Sequence, residues 1–300
     1  MDCKEQFETV GDGLLVRAPG KINLSLLVAG KRADGFHELE TIMAKINYYD
    51  ELLIEPNPKG DIALVCEGSE WVPDGPDNLV YKAARLLLDA CGQSADIKLT
   101  LTKNIPAGSG LGSGSSDAAA TLLGLNEYLD LGLPRPELAK LAARLGSDVA
   151  FFLNGPLAFC TGKGEKIREL SKNFHFLALL ALPDVSVSTE KVYADYVHDQ
   201  ALFEGLSTTI NNHILDNRID SVVKMCANML EIYCFGLESE LADLKVEIEA
   251  LAAARCCLSG SGSAMFSVIE NADMEKAPEL RDTIQAMAGC KSMIVSDNGW

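Results

Sequence analysis

Residues 97–102 (Ile97-Lys98-Leu99-Thr100-Leu101-Thr102) alternate apolar with polar side chains, the period-two pattern of a half-buried strand. Residues 118–129 turn Ala- and Leu-rich at the spacing of a buried helix. Between them runs Ile105-Pro106-Ala107-Gly108-Ser109-Gly110-Leu111-Gly112-Ser113-Gly114-Ser115-Ser116-Asp117, with four glycines and four serines. Upstream, residues 14–28 read as a strand, a turn at Ala18-Pro19-Gly20 and a second strand, on which Lys21 and Asn23 share one face. Strands follow over 41–54 and 62–65, then a helix over 77–90 with Asp77 as its N-cap. Pro134-Arg135-Pro136 opens a helix that carries Leu138, Leu141, Ala142 and Leu145 on one face, and Gly146 ends it as a left-handed cap. Residues 158–167 form a hairpin pattern with Gly162-Lys163-Gly164 at the tip. Further on come a strand over 176–182, a helix from Thr189, and helices over 220–233 and 237–253. A Gly-rich turn at 258–264, a strand over 265–269, a helix over 274–287 and a strand over 292–295 complete the pattern.

The order strand, glycine-rich loop, helix suits an anion. Glycine lets the backbone take positive φ and approach a ligand closely, and the first N–H groups of a helix lack intrahelical partners. Ser115 or Ser116 is placed to cap the helix, or to face a phosphate or its Mg²⁺. A flexible linker with a serine cap is the alternative, but such linkers rarely open straight into a buried helix. The run lacks the terminal Gly-Lys-Ser/Thr of a Walker A loop and the Gly-x-Gly-x-x-Gly spacing of a dinucleotide fingerprint.

Composition narrows the choice of ligand. The formal net charge of −17, from 26 Lys and Arg against 43 Asp and Glu, argues against nucleic acid. A phosphorylated ligand must then meet local cations, for which Arg17, Lys21, Lys31, Arg32 and Lys45 are the candidates. Nine scattered cysteines without a C-x-x-C pair and four histidines without ligand spacing give neither a zinc site nor a disulfide framework, so reduced thiols are expected. No signal-peptide pattern opens the chain and no apolar run is long enough for a bilayer, so a cytoplasmic protein with no membrane partner is expected.

The glycine-rich run resembles the central motif of the GHMP small-molecule kinases, which include galactokinase and the homoserine, mevalonate and phosphomevalonate kinases. Two more stretches carry the likeness. Ala33-Asp34-Gly35-Phe36-His37 resembles a signature of one branch, whose acceptor is a cytidine diphosphate sugar alcohol of the non-mevalonate isoprenoid route. Leu145-Gly146-Ser147-Asp148-Val149 resembles a stretch whose Asp is the catalytic base, although an Asp there is equally suited to be an N-cap. Leu258 to Ala264 is similar to the family's third motif, which backs the glycine loop.

The resemblance implies an α+β fold of two domains with the active site in the cleft between them. Residues 1–168 would form an N-terminal mixed sheet with helices, and 169–300 a ferredoxin-like α+β domain. It implies ATP and Mg²⁺ as cofactors, a small-molecule acceptor phosphorylated at its 2-hydroxyl, and a monomer or homodimer. Lys21 and Asp148 are the expected catalytic pair, meeting beside the glycine loop. Asn23, Phe36, His37, Thr189 and Tyr193 are expected at the acceptor, with Phe36 and Tyr193 sandwiching its cytosine. Asn78, Leu79 and Lys103 are expected near adenine, and residues 106–117 around the phosphates. The alternatives are another GHMP enzyme of mevalonate type, or a non-catalytic binding protein on the same scaffold.

Overall fold

The computed structural model describes residues 5–68, 72–170, 174–252, 254–269, 275–288 and 290–300. Strand β1 (Phe7–Val10) pairs with β2 (Gly13–Lys31), which runs antiparallel to β3 (His37–Pro56). β4 (Ile62–Gly68) leads to helix α1 (Leu79–Cys91), and β5 (Ile97–Lys103) to α2 (Ser113–Tyr128). Helices α3 (Arg135–Leu145) and α4 (Val149–Phe152) precede the hairpin of β6 (Leu157–Gly162) and β7 (Lys166–Glu169). These strands form one mixed sheet: the first half of β3 pairs with β6 and its second half with β5, to which β4 is parallel.

A second, antiparallel sheet holds β8 (Leu177–Leu182), β9 (Cys257–Leu258), β10 (Met265–Ile269) and β11 (Lys291–Ser296) in the order β11-β8-β10-β9. Helices α5 (Thr189–Asp195), α6 (Gln200–Leu215), α7 (Ile219–Met225), α8 (Glu231–Leu237), α9 (Ser239–Ala252) and α10 (Ala277–Ala288) belong to this half. One core gathers Val16, Leu52, Ile54 and Leu99 under α1 and α2. The other packs Ile22, Leu24, Leu27 and Ile42 of β2 and β3 against Leu180, Met265 and Phe266 of the second sheet.

Several local expectations give way to tertiary demands. β2 is a single strand, not two: the Pro19–Lys21 stretch is a bulge in its pairing with β3 rather than a turn. Asn78 caps α1, accepting from the Val80 N–H at 2.8 Å, while Asp77 closes a preceding 3₁₀ turn. Gly146 has an extended backbone (φ 173°) and is no left-handed cap. The helix expected over 220–233 is split into α7 and α8 because residues 227–229 pair with β2, Leu26 N–H donating to Ala227 O at 2.7 Å and Met229 N–H to Leu26 O at 2.9 Å. Helix α6, absent from the sequence pattern, buries only Ile210, so it leaves little apolar periodicity to detect. The expected helices 237–253 and 274–287 include residues 253 and 274, which lie outside the described residues. Cys226 and Cys257 form a disulfide, with Cα atoms 5.2 Å apart, contrary to the expectation of reduced thiols throughout. The turn that ends α7 lies against β9, as the Asn228 Nδ2–H···O bond to Leu258 (2.9 Å) also records.

Candidate active site

The bulge in β2 lets the Lys21 N–H turn away from β3 and donate to the Leu111 carbonyl at 2.9 Å, fastening the glycine loop to the strand. The Lys21 ammonium then donates to Gly110 O and to Asn23 Oδ1, each at 2.6 Å. Asn23 in turn donates to Thr41 Oγ1 at 2.8 Å, and Thr41 to Ser25 O at 2.6 Å. Lys21 and Asn23 thus share a face, as strand alternation requires, and both are buried. Burial pulls the Lys21 ammonium below its ordinary range, with the nearby Asp148 carboxylate opposing the shift.

The loop itself is built for close backbone approach. Gly108, Gly110 and Gly112 all have positive φ. A Cβ on Gly112 would sit 3.1 Å from the Phe152 ring and 3.2 Å from the Lys21 side chain. Helix α2 starts at Ser113, five residues before its apolar stretch, with Gly112 as N-cap and no side chain capping it. Ser115 and Ser116 therefore lie inside its first turn and are not caps. Leaving that turn uncapped keeps its N–H groups and the positive end of the helix dipole available to an anion.

These groups line one cleft of about 1020 Å³. Ala107, Gly108, Gly110 and Gly112 face it from the loop, and Ser113, Gly114 and Ser115 from α2. Asn78, Leu79, Lys103 and Asp117 border it toward α1. Lys21, Asn23 and Asp148 lie between these and Phe36, His37, Thr189 and Tyr193. Pro106, Ser109, Leu111 and Ser116 of the expected phosphate site do not line it. Leu111 is core, Ser109 donates to Pro106 O at 2.8 Å, and Ser116 is buried. Of the five candidate cations only Lys21 and Lys31 face the cleft. Arg17 pairs with Glu8, Arg32 with Glu38 and Asp34, and Lys45 donates to Phe152 O and Asn154 O.

Asp148 precedes α4, but its side chain makes no capping hydrogen bond. Its charge acts on Lys21, on the buried Cys160 thiol and on the Tyr193 phenol. Burial pushes Cys160 up to about 12 and raises Tyr193 as well, with Asp148 adding to both shifts. No ion pair joins Lys21 to Asp148 among the described residues. The two groups face one cleft and interact through space, so the expected meeting is electrostatic and not a contact. At the far end Phe36 and Tyr193, the two rings expected to flank the cytosine, both line the cleft. The His37 ring lies 5.2 Å from Tyr193 and 5.7 Å from Tyr196, while Phe36, 53% exposed, faces the Lys163 ammonium at 4.4 Å. Burial and Lys31 lower His37, which favours its neutral imidazole. Thr189 does not cap α5; Ser188 does, and the Thr189 hydroxyl bonds Ser261 Oγ at 2.8 Å. Thr41 and Cys160 face each other from β3 and β6, and no local sequence signal marks them.

A family model of the GHMP kinases N terminal domain matches residues 78–156, the span from the α1 cap through the glycine loop to Asp148 and α4. A 4-diphosphocytidyl-2-C-methyl-D-erythritol kinase of Geobacillus sp. (strain WCH70) is 38% identical over 258 residues, 86% of this chain and 89% of the relative. The chain belongs to the GHMP kinases and, within them, to the 4-diphosphocytidyl-2-C-methyl-D-erythritol kinase family. A solved 4-(cytidine 5'-diphospho)-2C-methyl-D-erythritol kinase superposes with a TM-score of 0.72 at 32% identity, covering 95% of this chain and all of the other. Homoserine kinase from Cytophaga hutchinsonii shares the fold, with a TM-score of 0.74 at 20% identity over 98% of this chain and 97% of the other. The enzyme is therefore an ATP-dependent small-molecule kinase with the mixed α+β fold of its family. No helix among its described residues is long and apolar enough to cross a membrane.

Proposed function

We propose that the enzyme transfers the γ-phosphoryl group of ATP to the 2-hydroxyl of 4-diphosphocytidyl-2-C-methyl-D-erythritol, in the non-mevalonate route to isoprenoid precursors. The observation that carries this reading is the continuity of one cleft. It joins the glycine nest, the Lys21–Asp148 region and an aromatic end built from Phe36, His37 and Tyr193. The uncapped start of α2 and the loop glycines receive the triphosphate, and Asn78 and Leu79 flank the adenine. Among the described residues no cluster of three or more His, Cys, Asp or Glu is placed to hold a metal ion alone. Mg²⁺, which would be held mainly by the nucleotide, would supply neutralisation of phosphate charge.

In this reading Asp148 accepts the proton of the acceptor hydroxyl as the hydroxyl oxygen attacks the γ-phosphorus, and the bond from that phosphorus to the β,γ-bridging oxygen breaks to release ADP. Lys21, tethered to Gly110 O and Asn23, holds a positive charge between base and nest. That charge favours ionised Asp148 and offsets charge on the transferring group. Asn23, held by Thr41, orients the acceptor. A neutral His37 offers one donor and one acceptor to a pyrimidine edge, and Tyr193 supplies a stacking face. Residues 1–168 would act as the catalytic domain and 169–300 as its C-terminal partner. An assay of ATP consumption tests the reading. Turnover is expected with the cytidyl-methylerythritol compound and not with mevalonate, and the reverse result would replace the proposed acceptor.

A further inference from the structure

Beneath the glycine loop lies a buried cluster that the transfer step does not use. Lys103, the last residue of β5, sets its ammonium between two carboxylates, Asp117 at 2.8 Å and Asp50. All three side chains are at most 5% exposed. The two acids are not equivalent. Asp50 also accepts the N–H groups of Asn104 (2.6 Å) and Ile105 (2.9 Å) on Oδ1, so each of its oxygens has a donor. Among the described residues Asp117 has a donor on Oδ2 alone, and its buried Oδ1 has no partner.

One ammonium against two carboxylates would leave an uncompensated negative charge inside the protein. It would sit on the first turns of α2, whose N-terminus lines the nest for a triphosphate. A buried charge of that kind is neutralised by a proton rather than tolerated, and two acids that share a site hold one proton between them. The count of donors assigns that proton to Asp117. Among the described residues Cys66 of β4 also faces it; burial pushes its thiol up to about 11, so that it carries no charge near neutral pH. Consistently, burial pushes the Asp117 carboxyl up to about 8, Lys103 opposing the rise and Asp50 adding to it.

We propose that Asp117 is held as a neutral carboxylic acid and serves as a positioning residue for the donor nucleotide: it keeps the Asp50–Lys103–Asp117 group uncharged beyond Asp50 and Lys103's own pair, and so leaves the positive end of α2 unopposed toward the ATP phosphates. The positioning role rests on the glycine loop being the ATP site; the proton does not.

Two measurements on the full-length enzyme test this. Difference infrared spectroscopy at about pH 6.5, wild type against Asp117→Asn, is expected to show the C=O stretch of a protonated carboxyl that the variant lacks. Absence of that band overturns the proton assignment. Calorimetric titration with ATP from about pH 7.5 to 9.5, where the phosphates are already ionised, is expected to show wild-type affinity falling about tenfold as Asp117 loses its proton. In Asp117→Asn, which keeps the buried Lys21 ammonium beside the nest, the fall over the same range should be at least about fivefold smaller than in the wild type. A flat wild-type profile, or a variant as steep as the wild type, overturns the positioning role. Should Asp117→Asn fail to fold, Asp50→Asn replaces it. There Asp117 pairs one-to-one with Lys103 and ionises at neutral pH, so the band vanishes and the slope shrinks likewise, and their persistence overturns the proposal. An intact band with no ATP binding at any pH overturns the nucleotide-site reading and the positioning role, and leaves the proton assignment standing.

Discussion

A carboxylate at the start of a helix ordinarily bonds the helix's own N–H groups, and Asp148 does not. Its side chain contributes no cap, so replacing it tests chemistry with little loss of stability. Asp148→Asn is expected to lower kcat by about 10²–10⁴-fold with a small change in KM for ATP, because the proton acceptor is removed while the glycine loop and the start of α2 are untouched. Steady-state kinetics beside a melting curve check this, and near-normal turnover in a folded variant would remove the base assignment. The same residue shows what single positions reveal in a sequence: an Asp before an apolar run fits both a cap and a base, and only the unused capping geometry separates them. Lys103 shows the opposite limit. A lysine ahead of a glycine loop reads as a nucleotide contact, but one of its two carboxylate partners, Asp50, lies 53 positions away, and nothing local announces a buried acid there.

At the scale of elements, the site depends on two glycine-rich loops that grip each other. The Ala264 N–H donates to Ser109 O at 2.9 Å, and Ser259 Oγ–H donates to Gly110 O at 3.0 Å. The contact is close enough to exclude a side chain: a Cβ on Gly110 would lie 2.1 Å from the Ser259 carbonyl oxygen, and φ is +82°. At Gly108 φ is also positive (+73°), but a Cβ would meet nothing within 4 Å. Gly108→Ala should therefore cost only the backbone penalty of about 1 kcal/mol. Gly110→Ala should cost about 3 kcal/mol or more, since the second loop must also withdraw. Withdrawal frees Gly110 O from Ser259 and disturbs the Lys21 ammonium bonded to the same oxygen, so KM for ATP should rise as well. Thermal melts and ATP titrations of the two variants give the comparison; equal losses would show that the brace carries no weight. The strand–loop–helix order around this site was legible because periodicity changes sharply on either side of the glycines. The start of α2 was not, since helical Ser113-Gly114-Ser115-Ser116 is stabilised by what packs around it rather than by its own propensity. The same holds for β2, where Ala-Pro-Gly looks like a turn and becomes a bulge because β3 runs beside it.

On the scale of the whole molecule, the two long strands β2 and β3 belong to both cores. Their outer ends supply Leu14, Val16, Leu52 and Ile54 to the core under α1 and α2. Their other ends supply Ile22, Leu24, Leu26, Leu27 and Val28, with Ile42 and Ile46, to the core of the second sheet. Lys21 and Asn23 lie at this crossover, and the cleft opens there because neither core fills it. The end of the chain reinforces the join: the Asn298 N–H donates to Lys45 O at 3.0 Å, and the Trp300 ring stacks on Tyr49 with centroids 5.9 Å apart. Burying one large aliphatic side chain contributes about 1.5–3 kcal/mol, and a domain's net stability is only about 5–15 kcal/mol. Seven such side chains from β2 and β3 together contribute about 10–20 kcal/mol, as large as the whole margin of a typical domain. Residues 169–300 expressed alone should show no cooperative melting transition, whereas adding residues 1–168 as a separate chain should restore one if the pieces associate. Differential scanning calorimetry of the fragment checks this. A sharp transition in isolated 169–300 would mean that the second sheet closes its core without the two strands, and that the cleft lies between independent bodies rather than on a shared framework.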